Sequence, residues 1–200
     1  MSSTLTFDEV EHKYRVGEKI LPSVTQLMGE YGITNSDFYD LQGSVRGTHV
    51  HTATEYFDEG DLEIEALDSI LKPFMYGYEK FCNESNIVWE HSELRMYHDL
   101  DWYAGTLDRT GHRGPKRILL DIKTGGMPNW VHIQLAGYKR LFERHEKRLG
   151  TYKPLEEFYA LQLRKDGTYR LVQIPIKKIF EGQKIIDSIL QINQFKRING

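Results

Sequence analysis

Gly105-Thr106-Leu107-Asp108, a polar turn, and then Ile118-Leu119-Leu120-Asp121-Ile122-Lys123 form the stretch around which the rest of this chain is read. The run from Ile118 to Ile122 is short and almost wholly apolar, the pattern of a strand buried on both faces, and Asp121 interrupts it. Desolvating an unpaired anion is expensive, so an acid in such a run is paired, neutralised by a shifted pKa, or bound to a metal. Side chains two apart on a strand share a face, which projects Asp121 and Lys123 together. Trp102 to Arg109 also reads as a strand, and Gly111-His112-Arg113-Gly114-Pro115 carries the punctuation of a turn between the two. Closing that hairpin brings Asp108 near Asp121. Two hard oxygen donors beside an ammonium suit Mg²⁺ or Mn²⁺ and a phosphodiester. Asp-x-Lys alone is common in strands, so the reading needs support from elsewhere.

Composition sets the bounds. The chain has 200 residues, 40% hydrophobic and 28% charged, long enough for one domain with a substantial core. It holds no membrane-spanning run and its first residues lack a signal-peptide pattern, so a cytoplasmic location and no membrane partner are expected. A single cysteine, Cys82, rules out an internal disulfide and a four-cysteine cluster from this chain alone. The net charge of -3 gives no global attraction to nucleic acid, so any attraction has to be local.

Residues 1–22 read as an N-terminal hairpin arm turning at Val16-Gly17-Glu18-Lys19, and Ser23 as the cap of a short helix from Gln26 to Met28. Ser36 or Asp37 is the candidate cap of a second helix running to Glu59. On it His51 and Glu55 share a face, Gly47 permits close approach, and His49 faces solvent. An apolar stripe from Leu67 to Phe81 predicts core helix, kinked or divided at Pro73. Ile87 to His98 reads as a strand in which Glu93, Arg95 and Tyr97 alternate with Leu94 and Met96, leaving Glu93 to face either the site or water. With the two strands already named it makes an antiparallel meander. A helix from Asn129 to Leu149 sets Gln134 and Tyr138 one turn apart and carries Lys139 and Arg140 in a basic flank, either a phosphate surface or a solvated edge. Glu156 to Arg164 and Thr168 to Ile176 form a hairpin around Lys165-Asp166-Gly167, and Lys177 to Ile198 a closing helix.

The ordered set Gly47-x-x-x-His51, Gly105-Thr-Leu-Asp108, Asp121-Ile-Lys123 and Gln134-x-x-x-Tyr138 resembles the PD-(D/E)XK nucleases, in particular the RecB-like and phage-exonuclease branch. The Pro22-Ser23-Val24-Thr25 stretch is similar to phage members of the same group. The resemblance implies an α/β, restriction-endonuclease-like fold, a mixed sheet flanked by helices in a single domain. It implies one or two Mg²⁺ or Mn²⁺ ions held by Asp108, Asp121, the Ile122 carbonyl and His51, with Glu55 and Glu93 as further acids. Lys123 would orient the attacking water or offset transition-state charge. Gln134 and Tyr138 would contact substrate or steady catalytic groups, and Arg46, Lys139 and Arg140 would meet DNA. No iron-sulfur cluster is implied, since the cysteines are missing. The activity implied is a metal-dependent deoxyribonuclease, an exonuclease on single-stranded DNA or free ends in viral or mobile-element recombination, replication or repair. A helicase or recombination protein would be its partner.

Other readings compete: a structure-specific endonuclease, a nucleic-acid-binding module that keeps the fold without cutting, and, least supported, a zinc protein. Asp108, Asp121 and Lys123 occurring together argue for cutting. No histidine pair has metalloprotease spacing.

Overall fold

A computed structural model of the chain describes residues 4–9, 11–34 and 41–199. The arm is a three-stranded antiparallel sheet of β1 (Leu5–Asp8), β2 (Lys13–Val16) and β3 (Lys19–Leu21), one strand more than a hairpin. Its glycine turn falls where the sequence places it, with Gly17 at φ 60°. Helix α1 (Val24–Glu30) starts with a capping box: Ser23 Oγ accepts from the Gln26 amide at 3.0 Å, and Gln26 Oε1 accepts from the Ser23 amide at 2.8 Å. Helix α2 (Leu41–Glu59) carries His51, and its proposed caps, Ser36 and Asp37, lie outside the described residues. Pro73 does not kink a helix. It sits in the first turn of α3 (Lys72–Ser85), where a missing amide hydrogen costs nothing, after a single 3₁₀ turn at Ile64–Ala66.

The main sheet has the order β4 (Ile87–His98), β5 (Tyr103–Arg113), β6 (Lys116–Lys123), β7 (Glu157–Leu163), β8 (Tyr169–Gln173). The β4, β5, β6 meander is antiparallel, but the residues expected to turn keep pairing: Gly111, His112 and Arg113 face Ile118, Arg117 and Lys116. The chain reverses only at Gly114-Pro115. After β6 it crosses over through α4 (Val131–Leu149) and returns as β7, parallel to β6, and β8 closes the edge antiparallel. Helix α5 (Ile176–Asn199) lies against α4.

Alternation along β6 explains the layers. Leu119 packs with Phe158, Leu135 and Ile186 under α1, α4 and α5. Ile118, Leu120 and Ile122 point the other way, against Val50 of α2 and Phe74 and Tyr78 of α3. A strand covered on both faces has to read as a nearly unbroken apolar run, as β6 does. The molecule is thus a mixed sheet flanked by helices, the restriction-endonuclease-like arrangement. Among the described residues, no helix is long and apolar enough to cross a membrane.

The α4–α5 contact is close enough to need glycine. A Cβ on Gly182 would stand 2.6 Å from the His132 carbonyl oxygen and 2.9 Å from the Ile133 Cα, both backbone atoms that have little room to yield. Gly182→Ala is therefore expected to destabilise the fold by about 1–3 kcal/mol despite its better helix propensity, seen as a lower urea midpoint. An unchanged midpoint would mean that the helices separate freely.

Candidate active site

The site begins where strand alternation fails. Ser92 and Leu94 are two apart on β4 and should share a face, yet the Ser92 hydroxyl donates to Asp58 of α2 at 3.3 Å while Leu94 packs into the α4 core. On β5, Leu107 lies in the α4 core while Arg109 reaches Asp58 and Tyr78 on the opposite side. The pairing runs Ser92↔Arg109 and then Leu94↔Leu107, so both strands reverse face across Glu93 and Asp108. Glu93 takes up the irregularity in the left-handed region, at φ 45°, a conformation costly for a residue with a Cβ.

A second departure opens the space. Pairing of β5 with β6 stops at Arg109↔Leu120, and beyond it Asp108 fills the gap with its side chain: Oδ2 accepts from the Ile122 amide at 2.6 Å. Further along β5 the place of a partner is taken by the end of the arm, where the Ala104 amide donates to the Pro22 carbonyl at 2.9 Å.

Into this opening α2 lowers His51. Its Nδ1 lies 3.3 Å from Glu93 Oε1 and 3.5 Å from Asp108 Oδ1, and ligand atoms of the three residues lie within 4.8 Å of one another. Burial of Asp108, with Asp121 and Glu93 as like charges nearby, pushes its carboxyl up to about 7 despite the attraction of His51. His51 moves up to about 9 because Asp108, Glu93 and Asp121 surround it, outweighing burial, and Glu93 is held low mainly by His51 and Arg109 against its own burial. The imidazolium thus occupies the place of a cation. Two carboxylates and an imidazole mix hard and borderline donors, a set that fits Mn²⁺ well and from which Mg²⁺ would favour the oxygens.

The resemblance groups Asp121 and the Ile122 carbonyl with His51 and Asp108. The structure brings Glu93, one of the two further acids, to His51 and Asp108, and sets Asp121, only 2% exposed, against Lys123, whose Nζ lies 2.7 Å from Asp121 Oδ2. The strand repeat is the reason, since it puts both on the α4 face. Asp121 stays close enough to raise both His51 and Asp108 electrostatically. On the adjoining turn of α4, Gln134 Oε1 accepts from Lys123 Nζ at 2.8 Å and Gln134 Nε2 donates to the Tyr138 hydroxyl at 3.1 Å. The Tyr138 ring lies against Gly105, where a Cβ would come within 3.0 Å of it. The small residue opening Gly-Thr-Leu-Asp thereby lets α4 approach β5.

Arg109 is the residue that the sequence reading passed over. It is wholly buried, and its guanidinium donates to Asp58 Oδ2 (2.6 Å), Glu93 Oε1 (3.2 Å), Thr54 Oγ1 (3.0 Å) and the Asp108 carbonyl (2.6 Å). Thr54 in turn donates to the His51 carbonyl at 2.8 Å. One arginine therefore ties together α2, β4 and β5, the elements that carry His51, Glu93 and Asp108. The available signal was an arginine amid the otherwise weakly charged run from Tyr103 to Gly111.

These groups open onto a cleft of about 1010 Å³ between α2, the arm and the Thr124–Trp130 loop. Glu55 lines it, its pKa raised by burial and by Glu93 and Glu59, but it stays outside the three-residue cluster. Arg46 also lines it, and among the described residues its buried Nε has no hydrogen-bond partner. Lys139 and Arg140 are not on the cleft wall: Lys139 pairs with Glu143 at 2.7 Å, and Arg140 is held between Asp101 (2.8 Å) and Asp187 (2.6 Å). That flank is an intramolecular ion-pair belt. His49 is exposed, as its helical position predicts.

No family model matches the sequence, and no curated protein matches it significantly. Among solved structures the chain is similar to a candidate exonuclease from Eubacterium rectale, at 11% identity and a TM-score of 0.47 over 84% of this chain and 73% of that one. It is also similar to the alkaline exonuclease LHK-Exo from Laribacter hongkongensis, at 15% identity and a TM-score of 0.36 over 87% and 79% of the two chains. Against LHK-Exo in complex with dAMP the values are 13% and 0.36 over 88% and 92%. Likeness at this distance says nothing of chemistry, which has to be read from the side chains themselves.

Two outcomes follow from the buried charges. Arg109→Met strands Asp58 without its cation and leaves Glu93 with His51 alone, and is expected to cost about 3–5 kcal/mol in urea unfolding, part of it recovered when Asp58→Asn is added. His51 has a raised folded pKa, so its contribution to stability is complete below pH 6.5 and is lost as pH rises through about 9. In chelator, the melting temperature should fall across that window, and His51→Asn should flatten the fall; a wild-type curve as flat as the variant's would contradict the charged cluster.

Proposed function

We propose that this chain is a metal-dependent deoxyribonuclease of the PD-(D/E)XK kind, close to the RecB-like and phage-exonuclease branch. It hydrolyses phosphodiester bonds in single-stranded DNA or at DNA ends, in recombination, replication or repair. The observation that carries the reading is the convergence of His51, Glu93 and Asp108 within 4.8 Å, on the same cleft as Lys123, which pairs with the buried Asp121. A protein needing only stability gains little from such a cluster, because apolar residues of similar size usually stabilise as well or better than buried ions.

His51, Glu93 and Asp108 would hold Mn²⁺ or Mg²⁺, with Asp121 the next carboxylate inward. A divalent ion bound there supplies Lewis-acid chemistry, neutralising phosphate oxygens and making a water more acidic. The chain's own groups do the rest. Lys123 Nζ, fixed between Asp121 and Gln134, is placed to donate to a non-bridging phosphate oxygen and offset the charge that grows there. Gln134 and Tyr138 keep that amine from swinging away, since each is buried and bonded to the next. Arg109 holds Glu93 and the His51 helix in register, so the cluster needs no rearrangement on binding.

The test is cleavage of an end-labelled single-stranded oligonucleotide with Mn²⁺ and with Mg²⁺. Asp121→Asn and Lys123→Ala are each expected to reduce the rate by about 100-fold or more while DNA affinity in chelator changes little. Full activity in purified Asp121→Asn protein would remove the assignment, and cleavage of closed single-stranded circles would redirect it to an endonuclease.

A further inference from the structure

We propose that the cleft grips a single DNA strand by its bases, with Trp130 stacking the base beside the reacting phosphate and Phe7 and His12 of the arm, together with Arg95 of β4, stacking another. The proposal deepens the nuclease reading and rests on it for the identity of the ligand.

Trp130 stands at the start of α4 on the cleft wall, half-buried, with Lys123 Nζ 5.7 Å from its ring centre. A phosphate within reach of that amine sets its neighbouring base within reach of the indole. The second group is built where the arm meets β4. Phe7 and Tyr14 are paired across β1 and β2 with ring centres 4.5 Å apart. Tyr14 is structural: it is buried, and its hydroxyl lies 2.7 Å from Thr106 Oγ1, mooring the arm to β5 two residues before Asp108. Phe7 is only half-buried, the Arg95 guanidinium lies over it at 5.0 Å, and His12 meets it edge-on at 5.1 Å. His12 is exposed and sits at φ 54°, a position where glycine or asparagine would fold more easily. A ring kept there, beside an arginine plane and opening on the cleft, makes a stacking surface.

The floor of the cleft is acidic, so phosphate charge alone would not hold a strand. Bases supply the missing attraction, since every base offers a π face to aromatic rings and to arginine, without regard to sequence. A duplex has its bases already stacked on one another and gains nothing from these rings. Strand preference would thus come from the cleft wall, separately from the hydrolytic groups.

The experiment is fluorescence anisotropy in chelator with labelled oligothymidylate, the same length of abasic strand, and a blunt duplex. Wild type is expected to favour oligothymidylate over the abasic strand by roughly tenfold. Trp130→Leu and Phe7→Leu, which keep apolar bulk but remove the π face, should each narrow that ratio, and Trp130→Phe should retain most of it. Equal wild-type affinity for the thymidylate, abasic and duplex probes would overturn the proposal, as would leucine variants that keep the full ratio while melting like wild type. Base-dependent binding without cleavage in Mn²⁺ would uphold the stacking wall and remove the nuclease reading. Cleavage in Mn²⁺ with no base dependence would do the reverse.

Discussion

The structure depends on compensating charge that should not be inside it. Asp58, Glu93, Asp108 and Asp121 are all largely withdrawn from water, and Arg109, His51 and Lys123 are the cations set among them. Each buried ion loses hydration that its partner only partly restores, so the arrangement holds only while every member stays. Arg109 is the member with most attachments, and through Thr54 it fixes the turn of α2 that carries His51. The geometry of the site and the packing of α2 against the sheet are therefore one fact.

Much of this was legible beforehand. The apolar run of β6, the Asp121–Lys123 pairing, the meander and the turn linking Gln134 to Tyr138 all follow from local repeats, which side-chain contacts respect. What resisted was the place where the repeat breaks. Strict alternation leaves Glu93 undecided between site and water, and no pattern shows that two neighbouring strands reverse face together at Glu93 and Asp108. That reversal is set by tertiary demand: Leu94 and Leu107 go to the α4 core, while Ser92 and Arg109 answer to Asp58. Pro73 misleads for a related reason, since a proline breaks a helix only if a helix precedes it, and Leu67 to Leu71 form none.

The basic flank of α4 shows the same limit in electrostatics. Lys139, Arg140 and Arg144 lie together in sequence as a phosphate surface would, but Lys139 pairs with Glu143 on its own helix, and the partners of Arg140 and Arg144, Asp101, Asp187 and Asp99, come from other elements. Distant acids cannot be credited to a helix face until the chain is folded. Once they are, the cations left to the cleft are few, in keeping with a chain of net charge -3.

The arm and the His51, Glu93 and Asp108 cluster share a single cause. Because β6 stops pairing at Leu120, β5 is left with open backbone groups on that side; Asp108 reaches across to one end of the gap, and Pro22 binds Ala104 at the other. A β6 that stayed paired along all of β5 would leave no seat for the arm and no opening for His51. The separation of two strands thus creates both the cavity and its wall, and a change that closed it would remove the three clustered side chains and the aromatic surface together.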